Sequence, residues 1–258
     1  MTKRKPLVAA NWKMHKTAAE AVSFVEELLP LVAASSEECD LLICPSFTNL
    51  VPLNDALAGS AVRLGAQDVH WEEEGAFTGA VSASMILTSG CVSVILGHSE
   101  RRQFFSETDE IVNRKLGASI RAGLKAIVCV GETLEERQAG QIEGVVLGQV
   151  EAALNGITSD DTLLQVAFAY EPIWAIGTGS TATPEQAGEV HRLIRNWLRK
   201  QFGDATADSV VIQYGGSVKP ENADELFAQE DIDGGLVGGA SLNPVSFAAI
   251  ANAAVRQS

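Results

Sequence analysis

The sequence predicts an α/β fold: a single (β/α)8 barrel of eight parallel strands ringed by helices, one domain spanning residues 1–258. Three observations predict it. Eight short, predominantly apolar runs recur along the chain, as suits strands buried on both faces of a parallel sheet. Longer amphipathic segments separate the runs. No linker, repeat or break in composition divides the chain, and its 258 residues suit the roughly 250 that one such barrel takes.

The runs are Leu7–Ala10, Leu41–Cys44, Val62–Ala66, Val92–Leu96, Ala126–Val130, Val166–Tyr170, Val210–Tyr214 and Gly235–Val237. Among the segments between them, 184–202 reads most clearly as a helix. Val190, Leu193, Ile194, Trp197 and Leu198 share one helical face. Thr183 supplies an N-cap, Pro184 the first helical position and Gln186 the reciprocal cap three residues on. Thr133 with Glu136 forms a second capping box, and Asn243-Pro244 opens the last helix. An open doubly wound sheet fits less well, because its first strand should lead into a GxGxxG turn. Here the first strand leads into Asn11-Trp12-Lys13.

Composition narrows the function. With 46% apolar residues the chain can bury a large core. A formal net charge of -14 opposes nucleic acid and anionic membranes, which need basic surface. A phosphate ligand would meet the same repulsion, so its site must carry its own positive potential. Four scattered cysteines without a CxxC pair read as buried thiols of a reducing, cytoplasmic protein. The basic start is followed by only four apolar residues before Asn11, too few for a secretory signal core. No apolar run approaches a membrane span. The four histidines show no HxxxH or HExxH spacing, so no metal and no cofactor are expected.

In such a barrel the chemistry lies just after the strands, at their C-terminal ends. That rule selects Asn11 and Lys13 after the first strand, His98 and Glu100 after the fourth, Glu171 after the sixth, Gly215-Gly216-Ser217 after the seventh and Gly238-Gly239 after the eighth. Glycine turns after strands seven and eight sit at the usual phosphate position of barrels, where backbone N–H groups can approach an anion. Tight turns made of glycine for steric reasons are the competing reading. Taken singly, Lys13, His98 and Glu171 also read as a surface lysine, a structural histidine and a solvated carboxylate. A helical turn from Ser99 would keep the His98 ring neutral. Pro172 holds Glu171 in extended backbone at the mouth. The uncharged stretch Pro172–Ala182, with Ile173, Trp174 and Ile176 in it, reads as an exposed apolar lid.

The segments AANWKMH (Ala9–His15), AQDVHWEEEGAFTG (Ala66–Gly79), ILGHSERRQFFSETDE (Ile95–Glu110), AYEPIWAIGTG (Ala169–Gly179), YGGSVKPEN (Tyr214–Asn222) and GLVGGASL (Gly235–Leu242) resemble the triosephosphate isomerase family, in order and over nearly the whole chain. The resemblance implies reversible interconversion of dihydroxyacetone phosphate and D-glyceraldehyde 3-phosphate, in glycolysis and gluconeogenesis, by proton transfer through an enediolate. It implies Glu171 as base, His98 as neutral electrophile and Lys13 as the cation that offsets developing charge, with Glu100 behind them. It implies Asn11, Trp12, Lys13, Gly177, Ser217, Gly238 and Gly239 as the substrate-binding set, the lid at about 172–182, and a homodimer through the loop 71–80, with Thr78 at its tip. A neutral catalytic histidine combined with closure of a lid is known chemistry of this family, and the resemblance carries it to His98 and the 172–182 stretch. Two positions depart from the family pattern: Ala80 stands where many members have Glu, and Ser180 where many have Lys. The competing functions are another sugar-phosphate barrel enzyme and a non-catalytic phosphate-binding barrel. An aldolase would need a Schiff-base lysine on a central strand or a metal set, and the strand runs hold neither.

Overall fold

The computed structural model describes residues 4–175 and 181–257. Eight parallel strands pair in chain order and close on themselves: β1 (Leu7–Asn11), β2 (Asp40–Cys44), β3 (Arg63–Ala66), β4 (Ser93–Leu96), β5 (Lys125–Val130), β6 (Val166–Tyr170), β7 (Ile212–Tyr214) and β8 (Gly234–Val237). Closure sets Ala9 of β1 opposite Leu236 of β8, and Ala10 opposite Val237. All eight runs are strands, with ends displaced by two residues at most.

The runs are predominantly apolar because each strand feeds two cores. Val8, Ala10, Leu41, Ile43, Val94, Leu96, Val128, Val130, Phe168 and Tyr170 point outward and pack under the helices. Their neighbours Ala9, Leu42, Cys44, Ile95, Ile127, Cys129, Ala167, Ala169 and Leu236 fill the inside of the barrel. Successive residues of a strand face opposite sides, so both alternating sets must be apolar. Cys44 and Cys129 are buried in the inner layer, which pushes both thiols far above their ordinary range.

The helix over Pro184–Phe202 begins as its residues dictate. The Thr183 hydroxyl accepts from the Gln186 N–H at 3.2 Å, and the Gln186 side chain accepts from the Thr183 N–H at 3.0 Å. Val190, Ile194 and Leu198 of its apolar face are buried, while Leu193 and Trp197 flank it half-buried. The Thr133 box opens only Leu134–Gln138, because Gly140 at φ 71° turns the chain before the next helix, Ile142–Ala153. The last helix is Pro244–Gln257, and Asn243 Oδ1 caps it by accepting from the Ser246 N–H at 2.9 Å. Among the described residues no helix is long and apolar enough to cross a membrane.

Candidate active site

Strand alternation decides what reaches the mouth. Two residues beyond each last inward side chain, the chain again faces the barrel axis. From Ala9 this gives Asn11, from Gly65 Gln67, from Ala169 Glu171, and from Leu236 Gly238. Asn11, Lys13, His98, Glu100, Ser217, Gly238 and Gly239 line one cavity of about 600 Å³ at this end. Most of the predicted site residues are therefore brought together.

Lys13 leaves β1 with φ 52°, in the left-handed region that side chains other than glycine rarely occupy. Asn11 Oδ1 accepts from its N–H at 3.1 Å. Its ammonium lies 2.6 Å from Glu100 Oε1. The stem runs across Gly238, where an added Cβ would lie 3.5 Å from Lys13 Cε. The cation thus sits between the histidine end of the cavity and the glycine end.

His98 is the N-cap of a short helix, Ser99–Phe104, as the sequence predicts. Its Nδ1 accepts from the Glu100 N–H at 3.2 Å, so that nitrogen carries no proton and Nε2 carries the ring's hydrogen. Nε2 is 2.9 Å from Glu171 Oε1. Burial lowers the ring's pKa, but the facing Glu171 carboxylate, with Glu100, outweighs burial and raises it above the ordinary value. The helix N-terminus sets which ring nitrogen is bare, and Glu171 controls how readily the ring holds a second proton.

Glu171 is only 2% exposed and lies behind His98 rather than on the cavity wall. Its Oε2 accepts from the Ser99 N–H at 2.9 Å, whereas no donor among the described residues is aligned on Oε1 as a hydrogen bond. Burial raises its pKa, yet His98, the Ser99 N–H and Lys13 together hold it below the usual carboxylate value. The group is therefore a buried anion with Oε2 fixed by a backbone N–H and Oε1 facing His98 Nε2 without an aligned hydrogen bond.

The two glycine pairs separate. A Cβ on Gly215 would come within 2.8 Å of Glu171 Cγ, and one on Gly216 within 2.3 Å of the Tyr214 hydroxyl. Those glycines are required by packing around the carboxylate and the tyrosine. Among the described residues, a Cβ on Gly239 would meet nothing within 4 Å, and the one on Gly238 only an ordinary contact. Among the described residues no side chain or backbone atom crowds either position, although Gly238 at φ -86° and ψ -113° has a backbone conformation that suits glycine, and the pair leaves the cavity wall bare for close approach. Crowding of a Cβ explains the glycines after β7 and does not explain those after β8.

Three expectations need correction or fall outside the structure. Trp12 does not line the cavity: it is fully buried, edge-on to Phe24 with ring centroids 4.9 Å apart, and its Nε1 donates to Ser241 O at 3.2 Å. An indole directly after a buried strand belongs to the core because its large apolar ring gains most there. Trp174 is half-buried rather than exposed: its Nε1 donates to Glu132 Oε1 at 2.9 Å under the Arg137 guanidinium. Gly177, Ser180 and the middle of the expected lid lie outside the described residues.

Two residues that the sequence did not single out belong to the surroundings of the site. Glu132 is fully buried, and its Oε1 also accepts from the Tyr170 hydroxyl and Arg137, each at 3.0 Å. Gln67 donates to the carbonyls of Lys13 and Cys44. Strand parity alone would have found Gln67, since it stands two residues past the inward Gly65. The loop 72–80 is exposed throughout, with His70 stacked on Trp71 and tilted against Phe77. Among the described residues no group of three or more His, Cys, Asp or Glu is gathered closely enough to hold a metal ion.

Comparison with known proteins places this arrangement. A family model described as triosephosphate isomerase matches residues 6–254. The triosephosphate isomerase of Carboxydothermus hydrogenoformans is 54% identical over 252 residues, covering 98% of this chain and all of that protein. That of Solibacter usitatus is 53% identical over 249 residues, 96% of this chain and 99% of the relative. That of Pelobacter propionicus is 54% identical over 249 residues, 96% and 98% respectively.

Proposed function

The chain belongs to the triosephosphate isomerase family, and from that premise we propose that it interconverts dihydroxyacetone phosphate and D-glyceraldehyde 3-phosphate through an enediolate, with Glu171, His98 and Lys13 as its catalytic residues. The observation that carries the assignment is the meeting of these three groups beside a cavity walled by Gly238 and Gly239.

Glu171 takes a proton from the carbon next to the substrate carbonyl. The reaction needs an ionised base, and the lowered pKa keeps Glu171 ionised across the neutral range. Burial makes that anion reactive, because Oε1 has no solvent shell to shed. To reach substrate the side chain gives up the Ser99 N–H and rotates past His98. His98 Nε2–H donates to the carbonyl oxygen as negative charge builds on it. Once Glu171 holds the proton, the charge that raised the ring's pKa is gone. The imidazole then becomes a stronger donor at the moment the oxyanion forms. Lys13 offsets the same charge and, lying against Gly238, also the phosphate. It supplies locally the positive potential that a chain of net charge -14 lacks. Gly238, Gly239 and Ser217 receive the phosphate, with Asn11 beside Lys13.

The test is isomerisation of dihydroxyacetone phosphate by the purified protein, with Glu171→Gln in parallel. Conversion by the wild type and its near-total loss in the variant is the expected result. No conversion by the folded wild type would overturn the reaction.

We also propose that the protein is a cytoplasmic homodimer joined through the loop 71–80. The exposed Phe77 in that loop and Met14, 92% exposed beside Lys13, support the interface, and four free buried cysteines support a reducing compartment. Sedimentation equilibrium giving the mass of a single chain would overturn the dimer.

A further inference from the structure

We propose that Gln67 is a positioning residue: it holds Lys13 in its left-handed backbone conformation and thereby fixes where the ammonium stands. The inference rests on the assignment of Lys13 to the catalytic set.

A residue other than glycine in the left-handed region is held there at a cost of about 1 kcal/mol or more, and it stays only where its surroundings over-determine it. The surroundings of Lys13 do so from both sides. Asn11 Oδ1 takes its N–H at 3.1 Å. Gln67 Nε2 gives one hydrogen to its carbonyl at 2.9 Å and the other to Cys44 O at 2.8 Å. Both partners of the Gln67 amide are carbonyl oxygens, so only its nitrogen can face them. Cys44 is the last residue of β2, and its carbonyl also accepts the Trp12 N–H at 3.1 Å. One side-chain amide, on the residue directly after β3, therefore ties the strained residue after β1 to the rigid end of β2.

The side chain follows the backbone. With φ at 52°, Lys13 carries its stem over Gly238 and its ammonium to Glu100. If the Lys13 peptide relaxed to an ordinary conformation, its stem would start in another direction. Misplacing a catalytic group by about 1 Å can cost on the order of 100-fold in rate. Gln67 is absent from the cavity wall, and of the two residues whose carbonyls it holds only Lys13 lines the cavity.

The experiment is a double-mutant cycle on kcat/KM. Gln67→Met keeps the length of the side chain and removes both donors, and it is expected to lower kcat/KM about 10- to 100-fold, with kcat and KM changing in the same sense as in Lys13→Ala. In the Lys13→Ala background, the same substitution is expected to cost less than about 2-fold, because the group it positions is gone. An equal loss in both backgrounds would overturn the proposal and leave Gln67 a general structural residue. Lys13→Ala with unchanged kinetics would instead overturn the role of Lys13, and this inference with it. Gln67→Glu, which sets acceptors against both carbonyls, carries the same prediction should Gln67→Met fail to fold. Unaltered kcat/KM in a folded Gln67 variant also overturns the proposal.

Discussion

The barrel has a buried ionic cluster at each end, and the two are built on opposite terms. At the N-terminal end, fully buried Arg195 sends Nε to Asp231, Nη2 to Asp233 and Nη1 to the carbonyls of Ala207 and Val210. Asp233 also accepts from Arg4 at 2.6 Å and from the Ile212 N–H at 2.8 Å. Every one of these charges is committed to the protein. At the C-terminal end, Glu171 Oε1 faces His98 Nε2 without an aligned donor among the described residues, and Lys13 and His98 face a cavity. A buried charge that is left incompletely paired costs free energy. That cost is tolerated at only one of the two ends: the closed cluster ties β7, β8 and the Pro184–Phe202 helix together, and the open one stays available to a ligand.

The contrast can be broken by substitutions that should act on one property alone. The largest effect is expected at the open end. Glu171→Gln should lower kcat on the order of 1000-fold with thermal stability retained, since the amide fits the site but cannot take a proton. A Glu171→Gln enzyme with near-normal turnover would move the base elsewhere. Lys13→Ala should lower kcat/KM by about 100- to 1000-fold, comparable to losing one oxyanion donor. It should also release Glu100 from its ion pair. Steady-state kinetics that do not change would remove Lys13 from the site.

At the closed end the expected loss is of stability. Arg195→Met strands the Asp231 and Asp233 carboxylates, and urea titration should show a loss of about 3–5 kcal/mol. Turnover per folded molecule should be unaltered. If that variant lost turnover without losing stability, the separation of the two ends would be wrong.

The last effect is confined to acid pH. His191 sits beside the closed cluster, its Nδ1–H on Asp231 O at 3.1 Å and its Nε2 buried without a partner among the described residues. Burial lowers its pKa from 6.5 to about 3. The unfolded chain binds a proton here below 6.5 and the folded one does not. The stability this group supplies is therefore complete above pH 6.5 and is lost as pH falls toward about 3, by up to about 1.4 kcal/mol per pH unit. His191→Gln should flatten the pH dependence of the urea midpoint in that window. The acid limb of kcat/KM belongs to the His98–Glu171 pair instead. It should lie above the ordinary histidine value of 6.5, since the ring must be neutral and the facing Glu171 carboxylate raises its pKa. Coincident limbs for stability loss and for kcat/KM would show that the two ends do not titrate separately.

Much of this was legible in the residues themselves. Buried strands need apolar residues on both faces, so eight continuous runs announced eight strands, and the capping residues Thr183, Gln186 and Asn243 announced helix starts. The rule that chemistry follows the strands then marked Asn11, Lys13, His98, Glu171 and Gly238, because backbone direction is a local property of each strand–helix unit. What local pattern does not carry is which side chain a neighbouring strand supplies. Trp12 follows Asn11 in sequence yet belongs to the core. The glycines after β7 and β8 read alike, yet one pair makes room for Glu171 and Tyr214 while the other leaves the wall bare. Alternation marks Gln67 as facing the axis, but what it holds is decided only when the sheet lays the end of β3 beside β2 and the loop after β1. Alternation along one strand determined which residues face the axis. Only the closed tertiary structure decided which of those meet, because contacts across the mouth join strands that are far apart in the chain.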